Sequence, residues 1–400
     1  MQRKLLIVCD AFPPDFAPRI GYLCKFLNAD YAVTVVTENT SRNSWPVSIE
    51  QHNFTLYRFA LTSANPLICN LQAIGDYLFM RRDRKLYKQA VNALKDSKFD
   101  MVLCTSYYIF PLLCGKKLAQ HFNIPLCIDL RDIKEQEAKT VGLQRIRHFF
   151  RLQWLNIWRR NRILKSANCV TTISPWHVET LSKVNGNVKL IYNGYDAEEF
   201  RYKETKTDYF TITYTGRILD LSLRNPILLF EAVSDLYKNS EFAKSLKIKW
   251  FVDNASMSQI GDLTAKYGLT EVTEVHPTIS AKQMPEVLNN SSIALVLTNL
   301  STPKGPHGIM TTKFFEALGC ERPILCVRSD ESCLAAAIAE TNAGLAGRNV
   351  EEVKEFIMNK FCEWQQNGFT HQNVRLKEKF TRQTQAKEFA EIFEETITDD

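Results

Sequence analysis

The sequence contains no run of apolar residues long enough to cross a membrane, and its start, MQRKLLIVCD, is too short in apolar residues for the core of a signal peptide. The 11 cysteines form no CxxC pair and the 7 histidines are isolated, so neither a zinc site nor a disulfide framework is predicted. Cysteines such as Cys9, Cys104 and Cys127 lie in apolar runs, where free thiols are commonly buried. We therefore expect a cytoplasmic protein in a reducing compartment.

Acidic residues are absent from residues 138–178, although this window carries eight lysines and arginines and the whole chain has a net charge of only +6. The basic excess is therefore local. Aromatic and apolar residues fall on one face of a predicted helix here, beside the cations, as in helices that lie at a membrane interface. The residues predicted to face an anionic membrane are Arg147, Arg151, Trp154 and Arg162. The alternative is a core-packed helix with solvated arginines; no nucleic-acid recognition motif accompanies the patch, so no nucleic-acid partner is expected.

Apolar runs alternate with helical patterns along almost the whole chain, which predicts an α/β protein with parallel sheets covered on both faces. The polar segment RYKETKTDY at residues 201–209 interrupts this rhythm and is interpreted as a linker. We predict a first domain over residues 1–200, a second over 210–373, and a final helix at 374–398 that packs back on the first. Two Rossmann-like, doubly wound domains would face each other across a cleft at the carboxyl ends of their strands.

Loops that follow strands are where such folds bind ligands, and two of them in the second domain are basic and contain glycine. In GRILDLSLRNP, Gly216 permits a close approach of the backbone, and Arg217 and Arg224 offer donors suited to phosphate. The alternative is that one of these arginines pairs with Asp220 on the surface. The first loop of the chain, at residues 10–21, lacks the GxGxxG pattern of dinucleotide-binding proteins.

The second basic loop, STPKGPHG, leads into MTTKFFEALGCERPIL, which is predicted to form a short helix and a buried strand. Together the two loops predict a diphosphate site. The residues of this second segment that are predicted to bind the diphosphate ligand are His307, Gly308, Thr312 and Lys313. Glu316 would accept hydrogen bonds from ribose hydroxyls, with its neighbour Lys313 facing the phosphates. The alternative is a surface ion pair between Lys313 and Glu316, worth a few tenths of a kcal/mol.

Five motifs lie in register along nearly the whole chain: VTTISPWHVETLSKV followed by VKLIYNGYDAEEF, ITYTGRI, MTTKFFEALGCERPIL, FTRQTQAKEFAEIFEE and FPPDFAPRIGYL. Together they resemble the motifs of bacterial GT-B glycosyltransferases, and are similar to those of family 4 retaining enzymes. The first resembles the segment that closes the N-terminal domain, ITYTGRI resembles the first strand and loop of the donor domain, and MTTKFFEALGCERPIL resembles the segment around the nucleotide. FTRQTQAKEFAEIFEE resembles the C-terminal helix, and FPPDFAPRIGYL matches the first loop loosely.

The resemblance implies roles for individual residues. Glu316 matches the glutamate that binds ribose, Arg217 the basic residue that faces the diphosphate, and Lys313 lies in the matching donor loop. Asp132 in CIDLRD matches an aspartate near the reacting centre on the acceptor side; the alternative is an aspartate that caps a turn at the end of a strand. Many relatives carry a second glutamate eight residues before the first, where this chain has Gly308.

The implied activity is retaining transfer of a sugar from a nucleotide-sugar to a glycan or lipid-linked saccharide, in surface polysaccharide synthesis. Such transfer relies on fixed cations rather than a protein nucleophile, so Arg217 and Lys313 are the expected catalytic groups, with Asp132 on the acceptor side. No DxD pair is placed to hold a metal, and neither metal nor cofactor is expected. Two alternatives stay open, namely a nucleotide-sugar epimerase of the same architecture and a non-catalytic relative.

Overall fold

The computed structural model describes residues 2–27, 31–40, 54–63, 66–137, 153–218, 221–303 and 305–398. The chain divides into two compact units. The first contains residues 1–136, 140–192 and 382–400, and the second contains residues 137–139 and 193–381. Each unit is built around its own parallel sheet, so the predicted α/β class with two doubly wound, Rossmann-like sheets is confirmed.

The first unit has a seven-stranded sheet in the order β3-β2-β1-β4-β5-β6-β7. Its strands are β1 (Arg3–Cys9), β2 (Tyr31–Glu38), β3 (Phe54–Phe59), β4 (Met101–Ser106), β5 (Leu126–Leu130), β6 (Cys169–Thr172) and β7 (Val188–Leu190). Its described helices are α1 (Pro18–Phe26), α2 (Pro66–Phe79), α3 (Arg81–Ala93), α4 (Leu112–Phe122), α5 (Gln153–Leu164), α6 (Pro175–Ser182) and α14 (Arg382–Thr398). None of the helices in the described part of the chain is long and apolar enough to cross a membrane.

Successive side chains of β1 point to opposite faces of the sheet, and both faces are buried. Leu5 and Ile7 pack in a core with residues of α1 and α14. Leu6 and Val8 pack in a second core with residues of α3 and α4. This accounts for the nearly continuous apolar sequence of β1, which a sheet covered on one face only would not require.

The second unit has a six-stranded sheet in the order β10-β9-β8-β11-β12-β13. Its strands are β8 (Phe210–Thr215), β9 (Leu246–Val252), β10 (Thr273–Pro277), β11 (Ile293–Leu297), β12 (Ile324–Val327) and β13 (Gly344–Ala346). Its described helices are α7 (Ile227–Leu236), α8 (Ser240–Ser245), α9 (Asn254–Lys266), α10 (Met284–Asn289), α11 (Thr312–Gly319), α12 (Cys333–Glu340) and α13 (Val350–Asn367). Phe210, Trp250 and Phe361 belong to its main core.

Residues 201–209 belong to the second unit and are bonded to it, rather than forming an unattached linker. The Lys203 N–H donates to Asn289 Oδ1 at 2.9 Å, and the buried Arg322 donates to the Lys203 carbonyl at 2.9 Å. Trp364 Nε1 donates to Thr207 Oγ1 at 3.0 Å. The polar composition of this segment predicted a linker, because hydrogen bonds to residues distant in sequence do not affect hydrophobic periodicity.

The start of the final helix and the division between the two units also differ from the sequence prediction. The final helix begins at Arg382, not at residue 374, because a 3-10 turn over Lys377–Phe380 comes first and Thr381 is extended, pairing with Tyr195. The first unit gives way to the second after Tyr192, before the expected boundary at residue 200. The short strand β13 was not predicted, since three residues carry too little periodicity.

In each sheet the winding reverses direction at its centre. From β1 the first sheet grows through β2 to β3 on one side and through β4 to β7 on the other. From β8 the second sheet grows through β9 to β10, and on its other side from β11 to β13. Loops at the carboxyl ends of the two central strands diverge at such a reversal and leave a crevice, which is where α/β folds bind ligands.

Candidate active site

The crevice of the second unit lies between the loops that follow β8 and β11. The Asn225 N–H donates to the Thr298 carbonyl at 3.4 Å. The Asn299 side-chain amide donates to the carbonyls of Leu221 at 3.3 Å and Ser222 at 3.0 Å. These bonds hold the two loops side by side, so the residues on both loops and on the following helix α11 belong to one site.

Gly216 ends β8 with a backbone conformation that only glycine adopts easily, at φ +113°. A Cβ atom at this position would lie 2.8 Å from both Cε and Nζ of Lys313. The Lys313 ammonium therefore lies against the backbone of Gly216. The glycine is required here both by its own dihedral angle and by the lysine from the neighbouring loop.

Lys313 extends from the first turn of α11 over the ring of Tyr214, with Nζ 5.6 Å from the ring centroid. Burial of the ammonium, together with the charges of Arg224 and Arg217 and against the opposing charge of Glu316, lowers the pKa of Lys313 to about 8. The charges of two arginines thus act on Lys313, and one carboxylate opposes them. Their mutual repulsion favours binding of an anion, which would neutralise them.

Tyr214 and Arg224 fix the loop that carries Arg217. The Tyr214 hydroxyl donates to the Arg217 carbonyl at 2.9 Å, and Arg224 Nη1 donates to the same carbonyl. Arg217 itself is exposed, and its charge, after the hydrogen bonds from Ser256, helps to lower the pKa of Asp253. Asp220, considered as an alternative partner for these arginines, lies outside the described residues.

Helix α11 begins at Thr312 with Thr311 as its N-cap, whose side chain makes no capping hydrogen bond. N–H groups in a first helical turn have no partner within the helix, and an anion satisfies them well. Lys313 and Glu316 lie on neighbouring turns of one face at this end of α11, and both are half-buried. Phe314 and Phe315, by contrast, are fully buried, so the charged pair is held at the crevice by the packing of the rest of the helix.

His307 and Gly308 lie on the loop between β11 and α11, where His307 is half-buried and Gly308 is buried. Gly308 has φ +62°, in the left-handed region that glycine tolerates best. A glutamate with this backbone conformation would be strained. The backbone conformation of this loop therefore disfavours a glutamate at position 308. Lys304 on the same loop lies outside the described residues.

Asp132 belongs to the first unit, two residues beyond β5. Gln136 Nε2 donates to Asp132 Oδ1 at 2.5 Å, and Gln136 Oε1 lies 2.7 Å from Nε2 of the buried His177. His177 Nδ1 lies 3.1 Å from Thr172 Oγ1. Burial lowers the pKa of His177 to about 4, with Arg160 adding to the shift against Glu135. Neutral His177 thus donates through Nε2 to Gln136, which orients the amide toward Asp132.

The first unit has a cavity of about 850 Å³ at the carboxyl end of its sheet. Its lining combines aromatic rings, carboxylates and cations, including Asp10, Phe16, Arg82, Tyr107, Tyr108 and Lys134. Lys134 Nζ lies 3.7 Å from the ring centroid of Tyr108, and Arg82 is paired with Glu38. Aromatic faces beside paired carboxylates and cations suit a polyhydroxylated molecule, which presents both apolar C–H faces and hydroxyl groups.

The structure brings Gly216, Arg217, Arg224, Lys313 and Glu316 together with the α11 start at Thr312. Trp154 and Arg162 are exposed on α5, whereas Arg147 and Arg151 lie outside the described residues. Sequence reasoning missed Tyr214 and Asn299, which support the cations and the loops. Tyr214 was visible in the motif ITYTGRI, two residues before Gly216. Within the described ranges, no group of three or more His, Cys, Asp or Glu side chains is arranged to hold a metal ion.

No protein-family model matches the sequence, and no curated protein matches it. Solved structures do match it over nearly its whole length. Sucrose-phosphate synthase from Thermosynechococcus elongatus is 15% identical with a TM-score of 0.68, and the match covers 100% of both chains. Anabaena HepE in complex with UDP is 13% identical with a TM-score of 0.67, covering 98% of this chain and 100% of that one.

A structure from Listeria monocytogenes named as a UDP-N-acetylglucosamine 2-epimerase is 12% identical with a TM-score of 0.53, covering 98% of this chain and 95% of that one. At these identities the likeness concerns the fold. Each match covers nearly the whole of both chains. The protein therefore has the GT-B fold of these glycosyltransferases.

Proposed function

We propose that the protein is a glycosyltransferase that binds a nucleotide-sugar in the second unit and transfers the sugar with retention, as family 4 enzymes do. The observation that carries the proposal is the group of cations at the reversal of the second sheet, where Lys313 lies against Gly216 and Arg224 donates to the Arg217 carbonyl. Glu316 lies one turn from Lys313 on the same helix. A nucleoside diphosphate has the matching chemistry, with two phosphates for the cations and ribose hydroxyls for the carboxylate.

In this proposal the C1–oxygen bond to the β-phosphate breaks while the acceptor hydroxyl forms a new bond on the same face of the sugar. The proton of that hydroxyl passes to the departing diphosphate oxygen. Arg217 and Lys313 stabilise the negative charge that develops on the diphosphate, and Arg224 supports them. Glu316 holds the ribose, and the N–H groups at Thr312 with the loop of His307 and Gly308 complete the donor site. The reaction as proposed uses no metal and no cofactor.

The acceptor in this proposal is a glycan or lipid-linked saccharide of a surface polysaccharide. The aromatic and charged lining of the first-unit cavity supports a saccharide acceptor. Asp132 serves on the acceptor side, where Gln136 holds its carboxylate in one orientation. The enzyme would act in the cytoplasm at the inner face of the cell membrane.

Uridine diphosphate is the first nucleotide to test, since HepE was solved with UDP and with UDP-glucose. Calorimetric titration of UDP, GDP and dTDP into the protein should give binding by one of them and heat that scales with its concentration. Glu316→Gln should weaken that binding about tenfold or more, because hydrogen bonds to a charged acceptor are worth roughly 1.5–3 kcal/mol. Absence of binding by every nucleotide would overturn the proposal.

An epimerase is the second candidate, since a structure named as an epimerase shares the fold. An epimerase would convert the nucleotide-sugar with no acceptor present. A glycosyltransferase would release nucleoside diphosphate only when an acceptor, such as a crude membrane extract, is added. Binding of nucleotide with neither reaction would instead indicate a relative that has lost its chemistry.

A further inference from the structure

Two helices of the first unit expose large apolar side chains to solvent. Phe79 and Ile74 of α2 are 58% and 59% exposed, and Trp154 and Trp158 of α5 are 55% and 50% exposed. Large aromatic side chains are costly to expose to water, and a group of them marks a surface that meets another apolar phase. We call these side chains, with the cations beside them, the α2–α5 face.

The two helices of the α2–α5 face are linked by a hydrogen bond. Arg159 Nη2 of α5 donates to the carbonyl of Leu78 in α2 at 2.6 Å, and Leu78 is itself exposed. Trp154, Trp158 and Arg162 are spaced four residues apart, so they form one stripe along α5. Ile74 and Leu78 have the same spacing on α2.

Cations accompany the aromatic rings of this face. Arg162 lies over the ring of Trp158, with Cζ 4.8 Å from the centroid, and Arg81 lies 5.8 Å from the centroid of Phe79. Arg84 is exposed and donates to the Phe79 carbonyl at 3.2 Å. In α5 the sequence contains no acidic residue at all. An apolar stripe flanked by arginines matches the acyl–headgroup boundary of an anionic bilayer, where rings enter the apolar layer and guanidinium groups meet phosphates.

The same helices also contribute residues to the lining of the cavity. Ile157 and Arg160 of α5 and Asp76 of α2 contribute to its wall. The exposed stripe and part of the cavity lining thus belong to the same two helices. A bilayer lying on the stripe would therefore hold the cavity near the lipid headgroups.

We infer that the α2–α5 face binds the surface of an anionic phospholipid bilayer and so presents the first-unit cavity to an acceptor carried by that membrane. The identity of the acceptor rests on the proposed function, whereas binding of the bilayer does not. A second copy of the chain is the competing occupant, but the arginines on this face would then be brought against one another in a symmetric contact.

Flotation with vesicles tests the inference. The parent protein should float with vesicles of equal parts phosphatidylcholine and phosphatidylglycerol, and remain unbound with phosphatidylcholine alone. Replacing the rings (Trp154→Ser with Trp158→Ser) or reversing charge (Arg84→Glu with Arg162→Glu) should each lower the partition coefficient about tenfold or more. Rising salt should weaken binding of the parent.

Matched controls come from the second unit. Tyr209→Ser removes a ring that is 46% exposed there, and Lys238→Glu with Lys244→Glu reverses two exposed charges. Both should bind vesicles as the parent does. No binding by the parent, or equal loss in the controls, would overturn the inference. A dimer in sedimentation analysis that the Trp154 and Trp158 replacements dissociate would assign the face to a second copy instead.

Titration of UDP into the same variants separates this inference from the proposed function. The α2–α5 variants should bind UDP like the parent, since none of their changed residues lies in the second unit. Vesicle binding without UDP binding would support the inferred bilayer-binding face and contradict the proposed glycosyltransferase function. UDP binding without vesicle binding would do the reverse.

Discussion

The Lys313 ammonium lies against Gly216, where a Cβ atom would be 2.8 Å from Lys313 Nζ. Gly216→Ala should therefore displace the lysine from its position between the two loops, and would also strain the backbone at φ +113°. We expect the affinity for UDP to fall about tenfold or more, because a displaced cation loses its charge-assisted bond to the diphosphate. Calorimetric titration of UDP measures this.

Gly261→Ala is the matched control, since a Cβ at Gly261 in α9 would meet no atom within 4 Å. Alanine is a better helix former than glycine, so this change should leave UDP affinity unaltered and raise stability slightly. Equal UDP affinity in the Gly216 and Gly261 variants would show that the close contact with Lys313 has no part in binding.

The lowered pKa of Lys313 predicts a pH dependence of UDP binding. With a pKa of about 8, the lysine is mostly protonated at pH 7 and mostly neutral at pH 9. Because a bound diphosphate favours the charged lysine, affinity should be nearly constant below pH 7 and should fall as the pH rises through 8. Titrations from pH 6.5 to 9.5, in buffers of different ionisation heat, would also detect uptake of a proton on binding above pH 8.

Lys313→Arg provides the internal comparison for that profile. Arginine stays charged throughout this range, so the pH dependence should disappear even if its affinity differs. A decline above pH 8 that persists in the arginine variant would have to come from another group. The lysine would then contribute no titrating charge to the site.

Both sheets were predictable from sequence because buried parallel strands leave unmistakable apolar runs, such as 5–9 and 293–297, at α/β spacing. The candidate donor site followed from two such strands, since loops after β8 and β11 carry glycine beside lysine and arginine. Strand order was not read from the sequence. Yet it is this order that makes β8 and β11 the central pair and brings Gly216 to Lys313.

What sequence patterns missed depends on contacts between residues distant along the chain. Nothing in the sequence around Arg19 indicates its partner. In the structure Arg19 is buried and paired with Asp129, 110 residues away. Similarly, the polarity of residues 201–209 concealed their bonds to Asn289 and Arg322. Local composition records neither kind of partner.

Glu316 should distinguish a ribose from a deoxyribose. If its carboxylate accepts hydrogen bonds from the ribose hydroxyls, Glu316→Gln should weaken UDP about tenfold and leave 2′,3′-dideoxy-UDP nearly unaffected. Glu352→Gln, in an exposed pair with Arg348 at 2.7 Å, is the control and should change neither affinity. Equal loss for both nucleotides would assign Glu316 to the support of Lys313 rather than to the sugar.

Asp129 forms a buried ion pair with Arg19 in the first unit. Arg19 donates to it through Nε at 3.0 Å and Nη2 at 2.9 Å, and the hydroxyls of Thr105 and Thr171 donate at 3.0 and 2.8 Å. Burial would raise the pKa of Asp129, but Arg19 and Thr171 outweigh it and hold the pKa below its ordinary value. Arg19 also donates to the carbonyls of Ile191 and Tyr192, the last two residues of segment 140–192 of this unit.

Asp129→Ala should therefore leave a buried guanidinium without its counter-charge and destabilise the first unit by about 3–5 kcal/mol. Because the chain has two units, a single melting temperature would not isolate this effect. Hydrogen exchange read by peptide should show faster exchange in β1, β4 and β5, with β8 and β11 unchanged.

Glu352→Ala breaks an exposed pair and should cost about 0–1 kcal/mol. Replacing both partners, Arg19→Met with Asp129→Leu, should recover much of the loss, since no buried charge then lacks a partner. Protection in β1, β4 and β5 that is equal in Asp129→Ala and the parent would show that this pair contributes no stability to the unit.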